Sequence, residues 1–459
     1  MKNVFKKLTG TVFLLAMTLL TLVTTSIRAE AKNTEVNKIP IAMATDNNYV
    51  YPTIVAMVSM LENKKESTHL DFYIMISGQV SEENRNRLNR LKSLYKGCSV
   101  ELIDMKNSFD STYIVPSHIT KATYYRLLLP SILSDYDKIL YLDGDILVRK
   151  DLWDMYSIDL KDNYIAAVKD MAHQMWGGQD YAYKLGVKST KQYINAGILV
   201  MNLKKIREDN MEKKFNDFIP ELEPRKLSYN DQDVLNATCY DKIKFISPEY
   251  NTMQGLVFVD NAQGIYDSQE WERARTDPAI IHYPGGDKPW KGRKCRFYDE
   301  WDKYRKITEK KIYGTPVIED GTYIISSSLN RNKVLDIKSA SCEDEANLQL
   351  WTKNNTDAQK FKINYVGEGY YEIEACCSGR VLDVAGAENR CGANVWQYQK
   401  NNTDAQKWMI KRAGNGYYYI VSKCNGLYLD VSGASTREGT NIHVWEFNGT
   451  KAQKFKISK

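Results

Sequence analysis

The feature that most restricts the fold of this chain is a repeat of 47 residues in its last third. Asp336, Asp383 and Asp430 are spaced by this step, and their surroundings align without gaps. The same step relates Asn347, Asn394 and Asn441; Trp351, Tyr398 and Trp445; Gln359, Gln406 and Gln453; and Phe361, Trp408 and Phe455. Because one such unit is too small to bury its own core, three copies predict a closed, all-β, pseudo-threefold assembly.

A second constraint lies at residues 138–152, where an apolar run ends in Asp143-Gly144-Asp145. The run has the composition and length of a buried parallel strand. Two carboxylates separated by one glycine therefore fall where the strand stops, which is where ligands bind in open α/β sheets. Paired oxygen ligands suit Mg²⁺ or Mn²⁺. Asp-Gly-Asp is also good turn chemistry, so this spacing alone leaves a plain turn and a metal site open.

Strands and helices alternate in the part of the chain that precedes this motif. Strands are predicted at residues 39–45, 70–77, 99–105 and 138–142, and helices at 52–62, 81–95 and from Ser117 onwards. This alternation predicts a mostly parallel, doubly wound sheet. No G-x-G-x-x-G motif opens the first helix, so the sequence does not support ordinary dinucleotide binding.

Three later segments place polar groups in apolar surroundings. Asn195-Ala196-Gly197 begins a strand, Asp231-Gln232 opens a helix, and His282 follows a strand shortly before Lys288. Each has a plain structural explanation: a turn, a helix cap and a half-buried histidine.

Taken together, these segments resemble glycosyltransferase family 8, the retaining nucleotide-sugar transferases, over residues 39–304. The resemblance implies an α/β Rossmann-like domain of the single-domain A-type architecture, acting on a UDP-sugar donor and a glycan or glycoconjugate acceptor. It implies the following donor-binding residues: Ala44, Asp46, Asn48, Tyr49, Arg126, Asp143, Gly144, Asp145, Asn195, Ala196, Asp231, Gln232, Gly285 and Lys288.

The same resemblance assigns roles within this set. Asp143, Asp145 and His282 would bind Mn²⁺ or Mg²⁺, while Gly285 and Lys288 would grip the diphosphate. The leaving group is a nucleoside diphosphate, so a dication and a lysine suit the negative charge that develops there.

Three residues are expected to carry the catalysis: Arg126, Asp231 and Gln232. Gln232 would face the reacting carbon of the donor sugar, and it is a weak nucleophile. The resemblance therefore favours departure and attack on one face of the sugar, and Asp231 stays open as an alternative nucleophile.

The repeat ends with Gln359-Lys360-Phe361, Gln406-Lys407-Trp408 and Gln453-Lys454-Phe455, which resemble the ricin-type β-trefoil lectin over residues 321–458. The resemblance implies up to three sugar sites, formed by Asp336, Gln349, Trp351, Asp383, Tyr398, Asp430, His443 and Trp445. Trp396 occupies the assisting position of the second repeat, so the first and third repeats are expected to bind better.

The predicted domains are a signal peptide at residues 1–31, a catalytic domain at 32–308, a linker at 309–319 and a lectin domain at 320–459. Basic residues, an apolar run and Ala29-Glu30-Ala31 indicate a secreted or extracytoplasmic, and optionally cell-surface-associated, protein. A net charge of +6 does not indicate nucleic acid as a partner. The basic, aromatic segment 288–305 could form a closing helix or contact a membrane surface, and either it or residues 173–193 could recognise the acceptor.

The leading functional prediction is a retaining, metal-dependent hexosyltransferase that moves glucose or galactose and carries a carbohydrate-binding module. Two rivals remain open: an exported lectin with an inactive transferase domain, and a glycoside hydrolase with the same lectin module. The hydrolase would need two carboxylates flanking a sugar cleft.

Overall fold

The computed structural model describes residues 36–106, 108, 121–176, 179–256, 264–291, 295–314 and 316–459. The chain divides into two compact units, Met1–Tyr298 and Asp299–Lys459. The predicted signal peptide and the predicted helix cap Ser117 lie outside the described residues. Within the described ranges, no helix has the length and apolar character needed to cross a membrane.

A mixed seven-stranded sheet forms the centre of the first unit. The strands of this unit are β1 Asn37–Thr45, β2 Thr68–Ile76, β3 Cys98–Asp104, β4 Lys138–Leu142, β5 Ile146–Val148, β6 Ile165–Lys169, β7 Ile194–Asn202, β8 Ile243–Phe245, β9 Thr252–Met253 and β10 Ile280–His282. The order in the large sheet is β3-β2-β1-β4-β7-β6-β8, and β5-β10-β9 form a small sheet. Strand β7 runs antiparallel to both neighbours, whereas the other pairings of the large sheet are parallel. The expected mostly parallel α/β sheet is confirmed.

The strand pairing explains why distant parts of the chain meet at one edge of the sheet. Leu142 at the end of β4 pairs with Ile198, and the Asp143 N–H donates to the Gly197 carbonyl at 2.8 Å. The start of the antiparallel β7 therefore lies beside the end of β4. In the small sheet His282 pairs with Ile146, which brings the end of β10 to the same edge.

Helices cover the sheets of the first unit. The α-helices are Val50–Asn63, Glu82–Leu94, Leu129–Ile132, Trp153–Tyr156, Met171–Trp176, Gln179–Leu185, Leu203–Glu208, Met211–Phe218, Asp231–Thr238 and Ser268–Thr276. Ser81 caps its helix as predicted, because its Oγ accepts a hydrogen bond from the Asn84 N–H. The segment Lys121–Leu128, predicted as part of an α-helix, is a 3₁₀ helix.

The second unit is all β and has four strands in each repeat. These are β11 Gly321–Ser327, β12 Lys333–Ile337, β13 Leu348–Thr352, β14 Lys360–Gly367, β15 Tyr370–Ala375, β16 Val381–Val384, β17 Ala393–Tyr398, β18 Trp408–Gly414, β19 Tyr417–Ser422, β20 Tyr428–Val431, β21 Thr440–Trp445 and β22 Phe455–Ser458. The first strand pairs with the last, so the assembly is closed. Phe361, Trp408 and Phe455 are fully buried at equivalent places in its core. The β-trefoil prediction is confirmed.

The predicted linker at residues 309–319 contains regular structure. The helix Tyr298–Thr308 continues into a π-helical turn, Glu309–Tyr313. The buried Glu309 carboxylate accepts hydrogen bonds from the Glu368 N–H at 2.8 Å and from the Tyr365 hydroxyl. These bonds are why this turn belongs to the second compact unit, whereas the predicted catalytic domain extends to residue 308.

Candidate active site

A cleft of about 600 Å³ opens at the edge of the sheet where β1, β4, β7 and β10 meet. It is lined by fourteen of the predicted donor and metal residues: Ala44, Asp46, Tyr49, Arg126, Asp143, Gly144, Asp145, Asn195, Ala196, Asp231, Gln232, His282, Gly285 and Lys288. Asn48 is exposed and is not among the lining residues. It lies in the turn whose backbone N–H groups bind the Asp46 carboxylate. The cleft therefore gathers residues from across the chain.

Asp143, Asp145 and His282 converge in this cleft. Each offers one ligand atom, and these atoms lie within 4.8 Å of one another. His282 Nε2 lies 3.3 Å from Asp145 Oδ1. Two carboxylates and one imidazole form a donor set that suits a divalent metal such as Mn²⁺.

Asn251 orients the histidine. The side-chain oxygen of Asn251 lies 2.9 Å from His282 Nδ1, and its amide donates to Asn195 Oδ1 at 2.9 Å. Since that oxygen can only accept, Nδ1 carries the proton and the Nε2 lone pair faces the carboxylates. This is the support that a metal-ligating histidine receives from its neighbours in known metal sites.

Two glycines leave space for this cluster. A Cβ added at Gly197 would lie 2.5 Å from His282 Cε1 and 2.8 Å from Asp143 Oδ2. A Cβ added at Gly144 would collide with the Thr53 hydroxyl. The absence of side chains at both positions fits the packing of a metal site.

Arg126 connects the cluster of Asp143, Asp145 and His282, called the metal cluster below, with the start of the helix Asp231–Thr238. Its guanidinium is 2.8 Å from Asp143 Oδ1 and 3.0 Å from Asp231 Oδ2, and it also donates to the Ala196 carbonyl. The arginine lies over the Tyr141 ring at 4.2 Å, and the Tyr141 hydroxyl donates to Asp143 at 2.9 Å. Burial raises the pKa of Asp231 to about 6, although Arg126 opposes this shift.

Gln232 and Asn195 are held by a buried carboxylate that the sequence prediction missed. Gln232 Nε2 donates to Asp170 Oδ2 at 3.3 Å, and Asn195 Nδ2 donates to the same oxygen at 3.2 Å. Gln232 Oε1 accepts from the Ala196 N–H at 3.0 Å. The two amides therefore present fixed orientations on one wall of the cleft.

Lys288 contacts Asp145 within the cleft. Its ammonium, which is buried, donates to Asp145 Oδ2 at 2.5 Å and to the Tyr283 carbonyl at 2.6 Å. Burial alone would raise the pKa of Asp145, but Lys288 and His282 hold it below its usual range. The lysine therefore places a positive charge beside the three residues that could hold a metal ion.

Sequence reasoning missed Asp170 and Asn251 for different reasons. Asp170 directly follows the apolar strand β6, so the strand-end rule that identified Asp143 could have identified it as well. Asn251 ends the short 3₁₀ segment Pro248–Asn251, which has no periodic pattern and no recognised motif. Only the fold brings it to His282.

In the second unit each predicted aspartate is buried and contacts the residue thirteen positions later. Gln349 Nε2 donates to Asp336 at 2.9 Å, Trp396 Nε1 donates to Asp383 at 3.0 Å, and His443 Nε2 lies 3.3 Å from Asp430. Each predicted aromatic residue follows this partner by two positions on the neighbouring strand: Trp351 is opposite Val334, Tyr398 is opposite Val381, and Trp445 is opposite Tyr428. The aspartate, its partner and the aromatic residue therefore share one face in each repeat.

Comparison with known proteins agrees with both units. Residues 40–294 match the model of glycosyl transferase family 8, and residues 315–398 and 358–445 match that of the ricin-type beta-trefoil lectin domain-like family. General stress protein A of Bacillus subtilis (strain 168) is 29% identical over 283 residues, which cover 61% of this chain and 96% of that protein.

Two further relatives have names that state a reaction. The lipopolysaccharide 1,3-galactosyltransferase of Salmonella typhimurium is 25% identical over 266 residues, covering 57% of this chain and 75% of that enzyme. The crystal structure of galactosyltransferase LgtC with donor and acceptor sugar analogs matches with a TM-score of 0.52 and 29% identity, covering 61% of this chain and 98% of LgtC. The chain belongs to glycosyltransferase family 8 and carries a C-terminal ricin-type lectin domain.

Proposed function

We propose that this glycosyltransferase is a retaining, metal-dependent hexosyltransferase that moves glucose or galactose from a UDP-sugar to a glycan or glycoconjugate. The observation that carries the proposal is the convergence of Asp143, Asp145, His282 and the buried Lys288 in one cleft. A transferase with a nucleoside diphosphate leaving group needs this concentration of cation-binding and cationic groups.

The residues of the cleft divide the work by position. Asp143, Asp145 and His282 would hold Mn²⁺ or Mg²⁺, which when bound neutralises the charge that develops on the departing diphosphate. Lys288 would bind the diphosphate directly. Its ammonium lies 2.5 Å from Asp145, which is one of the proposed metal ligands, and so it is close to the phosphates that the metal would contact. Arg126 holds Asp143 and Asp231 in place through two ion pairs.

Gln232 would support reaction on a single face of the donor sugar. Its side-chain amide is fixed between the Ala196 N–H and Asp170, and so it can orient the sugar. Asp231 is paired with Arg126 at 3.0 Å, which reduces its suitability as a nucleophile. Departure of the diphosphate and attack by the acceptor on the same face would retain the anomeric configuration.

The choice of a hexosyl donor rests on the relatives. The Salmonella enzyme and LgtC are named as galactosyltransferases, and a lipopolysaccharide 1,2-glucosyltransferase of Escherichia coli is 28% identical over 256 residues. Glucose and galactose are therefore the first donor sugars to test.

We further propose that the lectin domain binds carbohydrate and that the protein acts outside the cytoplasm. The first rests on the aspartate and aromatic pairs that share one face in each repeat. The second rests on the leader pattern at residues 1–31 and predicts that the protein recovered from its cells begins at Lys32.

The transferase proposal is tested by incubating the protein with UDP-glucose or UDP-galactose and Mn²⁺ and measuring UDP release. We expect Asp145→Ala to abolish release and weaken donor binding, because one metal ligand is lost. Asp137→Ala is the matched control, since Asp137 is exposed just before β4 and does not line the cleft. Full activity of Asp145→Ala, or of the wild type in excess chelator, would refute the metal-dependent mechanism.

A further inference from the structure

The third repeat of the lectin domain has an aromatic cluster that breaks the threefold pattern. Phe447 is 57% exposed, and its ring centroid lies 4.9 Å from that of Tyr428 and 5.4 Å from that of Tyr419. Tyr419 and Tyr428 pack edge to face at 5.7 Å. We call Tyr419, Tyr428 and Phe447 the aromatic platform.

The other two repeats have different chemistry at the equivalent positions. One step of 47 residues earlier, the counterparts of Tyr419 and Phe447 are Glu372 and Lys400, which form an ion pair at 2.6 Å. Two steps earlier they are Ile325, which is fully buried, and Lys353, which is exposed. The counterparts of Tyr428 are Val381 and Val334. The platform is therefore specific to the third repeat and is not needed for the trefoil fold.

The platform continues the face that carries the proposed third sugar site. Tyr428 pairs with Trp445 across β20 and β21, and Asp430 pairs with His443. Because residues two apart on a strand share a face, these four side chains form one surface. Trp445 is 38% exposed. Phe447 packs on Tyr428 and so extends this surface beyond Trp445.

We propose that the aromatic platform is an additional subsite, which stacks on the next sugar ring of a glycan whose first ring is held at Asp430 and Trp445. The inference rests on the proposed carbohydrate binding of the lectin domain. Two residues of extended chain span at most about 7 Å, so Phe447, two residues beyond the end of β21 at Trp445, lies within roughly one sugar unit of the first ring. Aromatic faces suit pyranose rings, whereas the ion pair of the second repeat and the lysine of the first do not offer such a surface. The third repeat would therefore prefer an oligosaccharide, and the other two would hold single terminal sugars.

The test compares matched monosaccharides and trisaccharides by calorimetric titration of the full chain, using glucose with cellotriose and galactose with β-1,4-galactotriose. For one of these pairs, we expect one site per chain to bind the trisaccharide about two- to tenfold more tightly than the monosaccharide. Phe447→Lys installs the residue type of the sister repeats and should remove this preference while leaving monosaccharide affinity unchanged. Val366→Lys is the matched control, since Val366 is an exposed apolar residue of β14, outside the platform.

The outcomes separate this inference from the carbohydrate-binding proposal. Sugar binding with no trisaccharide preference, or a preference that survives Phe447→Lys, would overturn the subsite and leave the lectin function intact. No binding of any of the four sugars would overturn both. If the wild type self-associates in sedimentation and Phe447→Lys does not, while the trisaccharide preference survives, the platform is a contact between copies and the subsite is refuted.

Discussion

At the scale of single residues, the cluster of Asp143, Asp145 and His282 depends as much on a neighbouring glycine as on its own side chains. Gly197 lies in the buried strand β7, and a methyl group there would approach both His282 and Asp143 to less than 3.0 Å. Neither neighbour can withdraw easily, because Asn251 holds the histidine and Arg126 holds the aspartate. In such close packing, even one added methyl group would displace the neighbouring side chains.

We therefore expect Gly197→Ala to weaken Mn²⁺ binding at least tenfold and to lower UDP release in proportion. The alanine is compatible with strand geometry, so the protein should fold. Manganese titration followed by calorimetry measures the effect, with Ala44→Gly as a control that changes a cleft residue away from the ligands. Unchanged manganese affinity in Gly197→Ala would show that the ion does not bind between Asp143 and His282.

Gln232 and Asp231 are neighbours in sequence but differ in their contacts. Gln232→Ala should slow transfer while leaving residual turnover, because it removes contacts to the sugar and no charge. Asp231→Asn should lower the rate of transfer further, since the buried Arg126 would lose the carboxylate that lies 3.0 Å away and keep only that of Asp143. Single-turnover kinetics with UDP-galactose and mass spectrometry of the quenched protein measure both. A stable glycosyl adduct on a side chain other than these two would refute their assignment.

At the scale of elements, the buried side chain of Asn236 helps to fasten the helix Asp231–Thr238 to the start of β7. Asn236 accepts from the Ile194 N–H at 2.7 Å and donates to the Ile194 and Gln232 carbonyls at 2.9 and 2.8 Å. Since Asp231 and Gln232 belong to this helix, and Asn195 and Ala196 to β7, Asn236 helps to fix the distance between these two parts of the cleft lining.

We expect Asn236→Ala to lower kcat more than it raises KM, because it loosens the catalytic geometry without removing a donor contact. It should also reduce the free energy of unfolding by about 1–3 kcal/mol, since two backbone groups of Ile194 lose their partner. Thr238→Ala is the matched control on the same helix, as the bonds of the Thr238 hydroxyl among the described residues lie within the helix and to Cys239. UDP-release kinetics and thermal melting test both effects, and wild-type kcat in Asn236→Ala would contradict the positioning role.

The elements also show what the sequence could predict. The strand before Asp143 and the turn after it are local, so an apolar run and two carboxylates were enough to place them. The proximity of His282 to Asp145 depends on the pairing of β10 with β5, and only the resemblance to a family supplied it. Asn251 has no local signal at all, because its role depends on three segments that meet only in the folded chain.

At the scale of the whole molecule, the 47-residue repeat predicts the trefoil but not the aromatic platform. The repeat is recognised from positions that agree, such as Asp336, Asp383 and Asp430, whereas the aromatic platform lies at positions that differ. Phe447 stands where the other repeats have lysine, so the periodic pattern gave no reason to single it out. Only the structure shows that Phe447 lies beside Tyr428 on the face of the third site.

Transfer and glycan binding are expected to depend on different parts of the chain. Trp351 and Trp445 lie in the lectin repeats, whereas the donor cleft is built from residues of the first unit. Changing both tryptophans to alanine should release the protein from insoluble glycan, at on the order of 1 kcal/mol lost per site. UDP-sugar hydrolysis should keep its rate, while transfer to a polymeric acceptor should fall, because the module no longer raises the local acceptor concentration.

Transfer to a short soluble acceptor distinguishes the explanations for such a loss. A lectin domain that acts only by concentrating the enzyme on a polymer cannot affect a freely diffusing acceptor, so the double variant should use that acceptor as well as the wild type does. The measurement is a pull-down on insoluble glycan beside a UDP-release assay with both acceptors. Equal pull-down of the two proteins would make these tryptophans scaffold residues. If hydrolysis fell together with glycan binding, the two functions would not be independent, and the lectin domain would be required for the active state of the cleft.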